Sequence, residues 1–131
     1  MTQVNAALAD IDAQLDTIIE RLFSFLRIPS ISADPAYAGD CEKAASWICG
    51  ELQSLGCEAS VRPTPGRPMV VGHYTPPDAT AKTPHVLFYG HYDVQPVDPL
   101  NLWETDPFDP RLVSRDDGSK IIVARGAADD K

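Results

Sequence analysis

Apolar residues recur at steps of three and four from the start of the chain: Val4, Leu8, Ile11, Leu15, Ile18, Leu22 and Leu26. Asp10, Asp12, Asp16 and Glu20 fill the opposite side. At 3.6 residues per turn that spacing keeps one face apolar, and it predicts an amphipathic helix of about six turns. Ile28-Pro29 closes it, because the residue before a proline is pushed out of helical geometry. A single helix followed at once by another compact element is expected to pack on the surface of a domain, not to zip onto a partner as a coiled coil. A connector then runs through Ser30, Ile31 and Ser32 to Gly39. Asp40 is placed to cap a second helix, with Glu42 in its first turn. Cys41, Ala44, Ala45, Ile48, Leu52 and Leu55 make its expected buried stripe, with Trp47 beside it and Gly56 as the left-handed stop.

Beyond residue 57 the apolar period falls to two. Residues 58–62 and 69–74 read as short strands separated by a Pro-Thr-Pro-Gly turn, and 75–84 as a polar loop. Val86, Leu87, Phe88 and Tyr89 form a continuous apolar run after a proline, which suits a strand covered on both faces. Residues 96–110 are a loop rich in proline, acidic and aromatic side chains. Residues 111–114 and 120–124 pair as a hairpin about an Asp-Asp-Gly-Ser turn. Helices first, strands after and one strand buried on both faces predict an α/β fold, a three-layer sandwich with a mixed sheet, truncated at its C-terminus.

Composition narrows the function more than the fold. At 131 residues the chain can bury one modest core. A net charge of −8, with its 11 basic residues scattered, argues against nucleic acid, whose phosphates need a surplus of lysine and arginine. No apolar run approaches the roughly 18 residues of a membrane span, and no secretory leader is visible. Three cysteines without CxxC spacing suit free thiols in a reducing cytoplasm. Cys41 and Cys49, about 12 Å apart on one helix, are too distant for a disulfide.

The candidate chemistry sits late in the chain. His91 follows Gly90 at the carboxyl end of the apolar run, where open α/β sheets place their ligands. With a side-chain period of two, His91 and Asp93 point the same way if the extended form continues. Imidazole is the commonest protein ligand for zinc, and a nearby carboxylate can fix its tautomer. Asp129 follows the last strand and a small-residue turn, Gly126-Ala127-Ala128, that allows close backbone approach. Two adjacent carboxylates, Asp129 and Asp130, are costly unless a cation or hydrogen bonds compensate. One of them could bridge two metal ions about 3.5–4 Å apart. His73 and His85 read as structural. Cysteine and serine nucleophiles have no base beside them, and no glycine-rich phosphate loop exists.

The run Gly90-His91-Tyr92-Asp93-Val94-Gln95-Pro96, then Trp103, Pro107-Phe108 and Pro110, then Arg125-Gly126-Ala127-Ala128-Asp129-Asp130-Lys131, closely resembles the zinc aminopeptidase-like amidohydrolases. That family includes aminoacylase, carboxypeptidase G, succinyl-diaminopimelate desuccinylase and the cytosolic dipeptidases. The resemblance covers essentially the whole chain. Tyr92 and Gln95 look most like the carnosinase-like dipeptidase branch. The resemblance implies that His91 binds one metal ion, that Asp129 bridges two, and that Asp93 is the catalytic-site aspartate supporting His91. It implies two zinc ions per intact site, with cobalt or manganese as alternatives, and a cis peptide between Asp129 and Asp130.

It also implies what residues 1–131 lack: the general-base glutamate, the remaining acidic and histidine ligands, and the small domain that makes the homodimer. The chain is therefore expected to be the N-terminal part of a single metallopeptidase catalytic domain, inactive and aggregation-prone alone. The intact protein is expected to be a cytoplasmic dipeptidase acting on short peptides. An N-acyl amino acid deacylase on the same scaffold is the nearest alternative. A non-catalytic α/β interaction module is the alternative of another class, and metal binding at His91, Asp93 and Asp129 separates it from both.

Overall fold

The computed structural model describes residues 2–129. Helix α1, Gln3–Leu26, is 24 residues long, and the Thr2 hydroxyl caps it by accepting from the Asn5 amide at 3.4 Å. Helix α2 covers Ala38–Ser54. It starts two residues before the expected cap because Pro35 opens a short 3-10 turn, Pro35–Tyr37, whose first amide is accepted by Asp34. Asp40 therefore lies in the first turn of α2, paired with Lys43 at 2.8 Å, and does not cap it. Gly56, at φ 84°, ends α2 as expected. Its amide bonds to Gln53 O and that of Cys57 to Leu52 O, the two bonds of a Schellman turn.

Two hairpins follow. Strands β1 (Glu58–Arg62) and β2 (Met69–His73) pair antiparallel with Glu58 opposite His73, and β3 (Arg111–Ser114) and β4 (Lys120–Val123) pair with Arg111 opposite Val123. Gly118, at φ 81°, makes the second turn possible. The first hairpin lies against α2. Leu52 packs over Gly72 so closely that an added Cβ there would sit 3.0 Å from its Cδ1.

The core gathers where the two helices and the connector meet. Phe23, Phe25, Leu26, Ile31, Cys41, Ala44, Ala45, Cys49 and Val94 are its buried apolar residues. Phe25 stacks on Trp47 with ring centroids 4.6 Å apart, and Arg21 pairs with Glu51 beside them. On α2 the buried positions are Cys41, Ala44, Ala45 and Cys49, so the stripe lies nearer Cys49 than Ile48, and Leu55 is exposed. Cys41, Cys49 and Cys57 form no disulfide.

Two expectations fail in instructive ways. The N-terminal half of α1 is not packed: Val4 is 67% exposed and Leu8 54%, because no described element lies over that face. Residues 86–89 belong to no described strand, with Leu87, Phe88 and Tyr89 all about nine-tenths exposed. A central strand needs hydrogen-bonding neighbours on both sides. Here each hairpin closes on itself as a separate two-stranded sheet, so the described residues do not assemble the mixed sheet.

Such an uncovered, uncharged β-prone run is expected to promote self-association. Phe88→Lys is expected to lower light scattering of the concentrated chain while changing stability by no more than about 0.5 kcal/mol, as at any exposed position. A melt lowered by several degrees would show instead that Phe88 is covered in solution.

Candidate metal site

The segment carrying His91 and Asp93 is held by the connector after α1. Ile31 and Val94 form an isolated parallel bridge, with the Val94 amide donating to Ser30 O at 3.0 Å. Both bridge residues are buried, and fully buried Ser30 donates its hydroxyl to Tyr92 O at 2.6 Å. The chain leaves α1 at Arg27, and beyond Pro29 the connector runs alongside residues 92–94. Sequence periodicity alone does not reveal this, since the pairing joins residues about sixty positions apart.

Within that frame His91 Nδ1 lies 3.2 Å from Asp93 Oδ1 and 3.1 Å from Asp93 O. Both partners are acceptors, an arrangement that favours the proton on Nδ1 and, in the neutral ring, leaves the lone pair on Nε2. Nε2 has no hydrogen-bond partner among the described residues. A carboxylate on one ring nitrogen and an open lone pair on the other is the arrangement of a metal-ligating histidine. Both side chains are partly exposed, so an ion could reach them.

Around the pair lie residues that the sequence reading left as connector or turn. The Ser32 hydroxyl donates to Asp93 Oδ2 at 2.5 Å. Arg67, in the turn of the first hairpin, donates to Ser32 O and Asp34 O. The Tyr92 hydroxyl donates to Pro68 O at 2.6 Å. Burial, helped by the neighbouring Cys41 and Asp93 and opposed by Arg67, pushes the Tyr92 phenol up to about 12. The only sequence cue to this support was the polar alternation Ser30–Ile31–Ser32, which puts two hydroxyls on one side of an extended connector.

Asp129 is placed less completely. It is exposed, in a turn closed by its own amide on Gly126 O at 3.3 Å. That turn is tied to the 96–110 loop: Arg125 N donates to Pro107 O at 2.7 Å, and the Arg125 guanidinium lies 5.0 Å from the Trp103 ring centroid. Trp103 in turn donates to Val97 O. Among the described residues Arg125 Nε is buried with no hydrogen-bond partner, and the ring face is its compensation. Among the described residues no three His, Cys, Asp or Glu side chains converge as a metal site, so Asp129 does not close on His91 and Asp93. Asp130, and with it the cis peptide implied after Asp129, lies outside the described residues. His73 and His85 are exposed and make no bond to the site.

No family model matches the chain. Individual proteins do. The chain is 35% identical over 126 residues to the Cys-Gly metallodipeptidase of Candida albicans, an alignment covering 86% of this chain and 25% of that protein. Its fold superposes on the dipeptidase Dug1p of Saccharomyces cerevisiae with a TM-score of 0.79 at 26% identity, over 98% of this chain and 28% of the other. It superposes on human carnosine dipeptidase 1 with a TM-score of 0.77, also at 26% identity, over 92% and 26%. The α/β class expected from the sequence stands on these likenesses. The chain spans about a quarter of the length of the curated relatives it matches. Among the described residues no helix is long and apolar enough to cross a membrane.

Proposed function

Because this chain is homologous to the metallodipeptidases over nearly all of its length, we propose that residues 1–131 are part of the catalytic domain of a dinuclear zinc dipeptidase. The observation that carries the reading is the His91–Asp93 contact, which leaves the Nε2 lone pair available at an open edge. His91 would bind one ion through Nε2, Asp93 would hold the ring and add negative charge behind it, and Asp129 would bridge to the second ion. When bound, the metals supply Lewis acidity toward the scissile carbonyl and an attacking water.

An imidazole and carboxylate donor set suits zinc, with cobalt or manganese as substitutes. The substrates we assign are dipeptides of the cysteinylglycine or carnosine type, in line with the names of the relatives. A cytoplasmic site of action is our assignment from three cysteines without CxxC spacing. The homodimer is carried over from the family resemblance.

The test is hydrolysis of cysteinylglycine, carnosine and an N-acetyl amino acid by the protein as it occurs in its source cell. Dipeptide cleavage lost on chelation and restored by zinc, cobalt or manganese is expected. Preference for the N-acyl substrate would move the reading to a deacylase, and no metal-dependent cleavage of any of them would overturn it. Residues 1–131 by themselves should show no turnover, since a catalytic metal needs about three protein ligands.

A further inference from the structure

Ser32 is held more firmly than a connector residue needs to be. Its carbonyl accepts from Arg67 Nε at 3.1 Å and Nη2 at 3.0 Å, and the same Nη2 reaches Asp34 O at 2.8 Å. On its N-terminal side, Ile31 is bridged to Val94 and buried Ser30 is bonded to Tyr92 O. The backbone is thus pinned on both sides, and it presents the Ser32 hydroxyl to Asp93 Oδ2 at 2.5 Å. The other oxygen, Oδ1, faces His91 Nδ1 at 3.2 Å. The terminal torsion of an aspartate is broad and nearly two-fold when nothing holds it. A hydroxyl on one oxygen removes that freedom and aims the other.

We infer that Ser32 is a positioning residue for the His91–Asp93 pair. By holding Oδ2 it turns Oδ1 onto His91 Nδ1, keeps the proton on that nitrogen, and leaves Nε2 as the lone-pair donor toward a divalent cation. Hydrogen bonds of this kind, at one remove from the ligand, set ring orientation and basicity in metal sites. The inference rests on the metal-site reading for its purpose. Its physical content, the tautomer of His91, is measurable in metal-free protein. One rival fixes the same tautomer without Ser32: the Asp93 carbonyl, 3.1 Å from Nδ1.

The experiment is a long-range proton–nitrogen NMR spectrum of histidine-labelled chain at pH 8.5, for the natural sequence, Ser32→Ala and Ser32→Thr. The natural chain should show His91 as the Nδ1–H tautomer. Ser32→Ala should lower the ratio of Nδ1–H to Nε2–H about fivefold or more, the effect of losing a charge-assisted hydrogen bond. Ser32→Thr, which keeps the hydroxyl, should restore it.

An unchanged tautomer in Ser32→Ala overturns the inference in favour of the carbonyl. Equal loss in both variants also overturns it, since the threonine keeps the donor. Should Ser32→Ala fail to fold, Ser32→Cys replaces it. Its weak donor should give mixed tautomers, and a pure Nδ1–H ring there overturns the inference too. Zinc binding by the intact protein that carries this chain, which supplies the remaining ligands, separates the two claims. A Ser32-dependent tautomer without zinc binding at His91 sinks the metal reading alone, and zinc binding with an insensitive tautomer sinks the positioning role alone.

Discussion

Replacing His91 with alanine should reduce metal-dependent dipeptide hydrolysis by about a thousandfold or more in the protein that carries this chain, because a metal supplies several kcal/mol of transition-state stabilisation. Asp93→Asn should cost less, about 10–100-fold, the range seen when a partner behind a metal ligand is changed. The geometry explains the ordering. Asparagine can keep an acceptor on His91 Nδ1 and turn its amide toward Ser32, whose hydroxyl accepts as well as donates. What it removes is the charge behind the imidazole. Asp93→Ala removes both and should fall between Asn and the loss of His91. Metal affinity measured by calorimetry should follow the same order as the rates. If His91→Ala keeps activity within threefold, His91 is no ligand and the assignment falls.

The sequence carried this site unevenly, and the reason is the range of the interactions. The period-two argument that puts His91 and Asp93 on one side is local, and the two side chains do meet. The helix limits, the Gly56 stop and both hairpins are also local in origin, and the structure has them within about three residues. Asp40 was misplaced because Pro35 starts a tighter turn upstream and shifts the helix start. What local pattern could not show is the support from Ser30, Ser32 and Arg67, which reach across the chain to residues 92–94 or to the connector. Nor could it show the state of residues 86–89. Their composition says "central strand", and that composition is satisfied only where neighbouring strands exist. The described residues provide none, so the same four side chains stand in solvent.

The connector links this chemistry to the stability of the helices. Residues 30–32 leave the last turn of α1 through Pro29, so their position depends on how firmly that turn is anchored. Its anchors are Phe23, Phe25 and Leu26, the buried residues of α1, with the Phe25–Trp47 stack fastening it to α2. The apolar residues earlier in the helix contribute little, since half or more of their surface is open at Val4 and Leu8. The helix is therefore tethered at one end, and that end adjoins the site.

Leu26→Ala is accordingly the substitution expected to destabilise the chain most. Leu26 is fully buried, and truncating such a leucine costs about 2–5 kcal/mol, through lost burial and the cavity left behind. Natural domains hold only about 5–15 kcal/mol in total, and a core of nine buried apolar residues among those described belongs near the low end. The melting temperature should drop by about 10 °C or more, or the cooperative transition should vanish.

Leu8→Ala, on the uncovered face, should cost under about 0.5 kcal/mol. Thermal denaturation of the two variants side by side is the check. Equal losses would mean that the N-terminal half of α1 is covered in solution, by self-association or by more of the protein. If the losses differ as expected, Leu26→Ala should also release the connector, and the Nδ1–H preference of His91 should weaken in the fraction that remains folded. Stability and site geometry would then share one anchor, the last turn of α1.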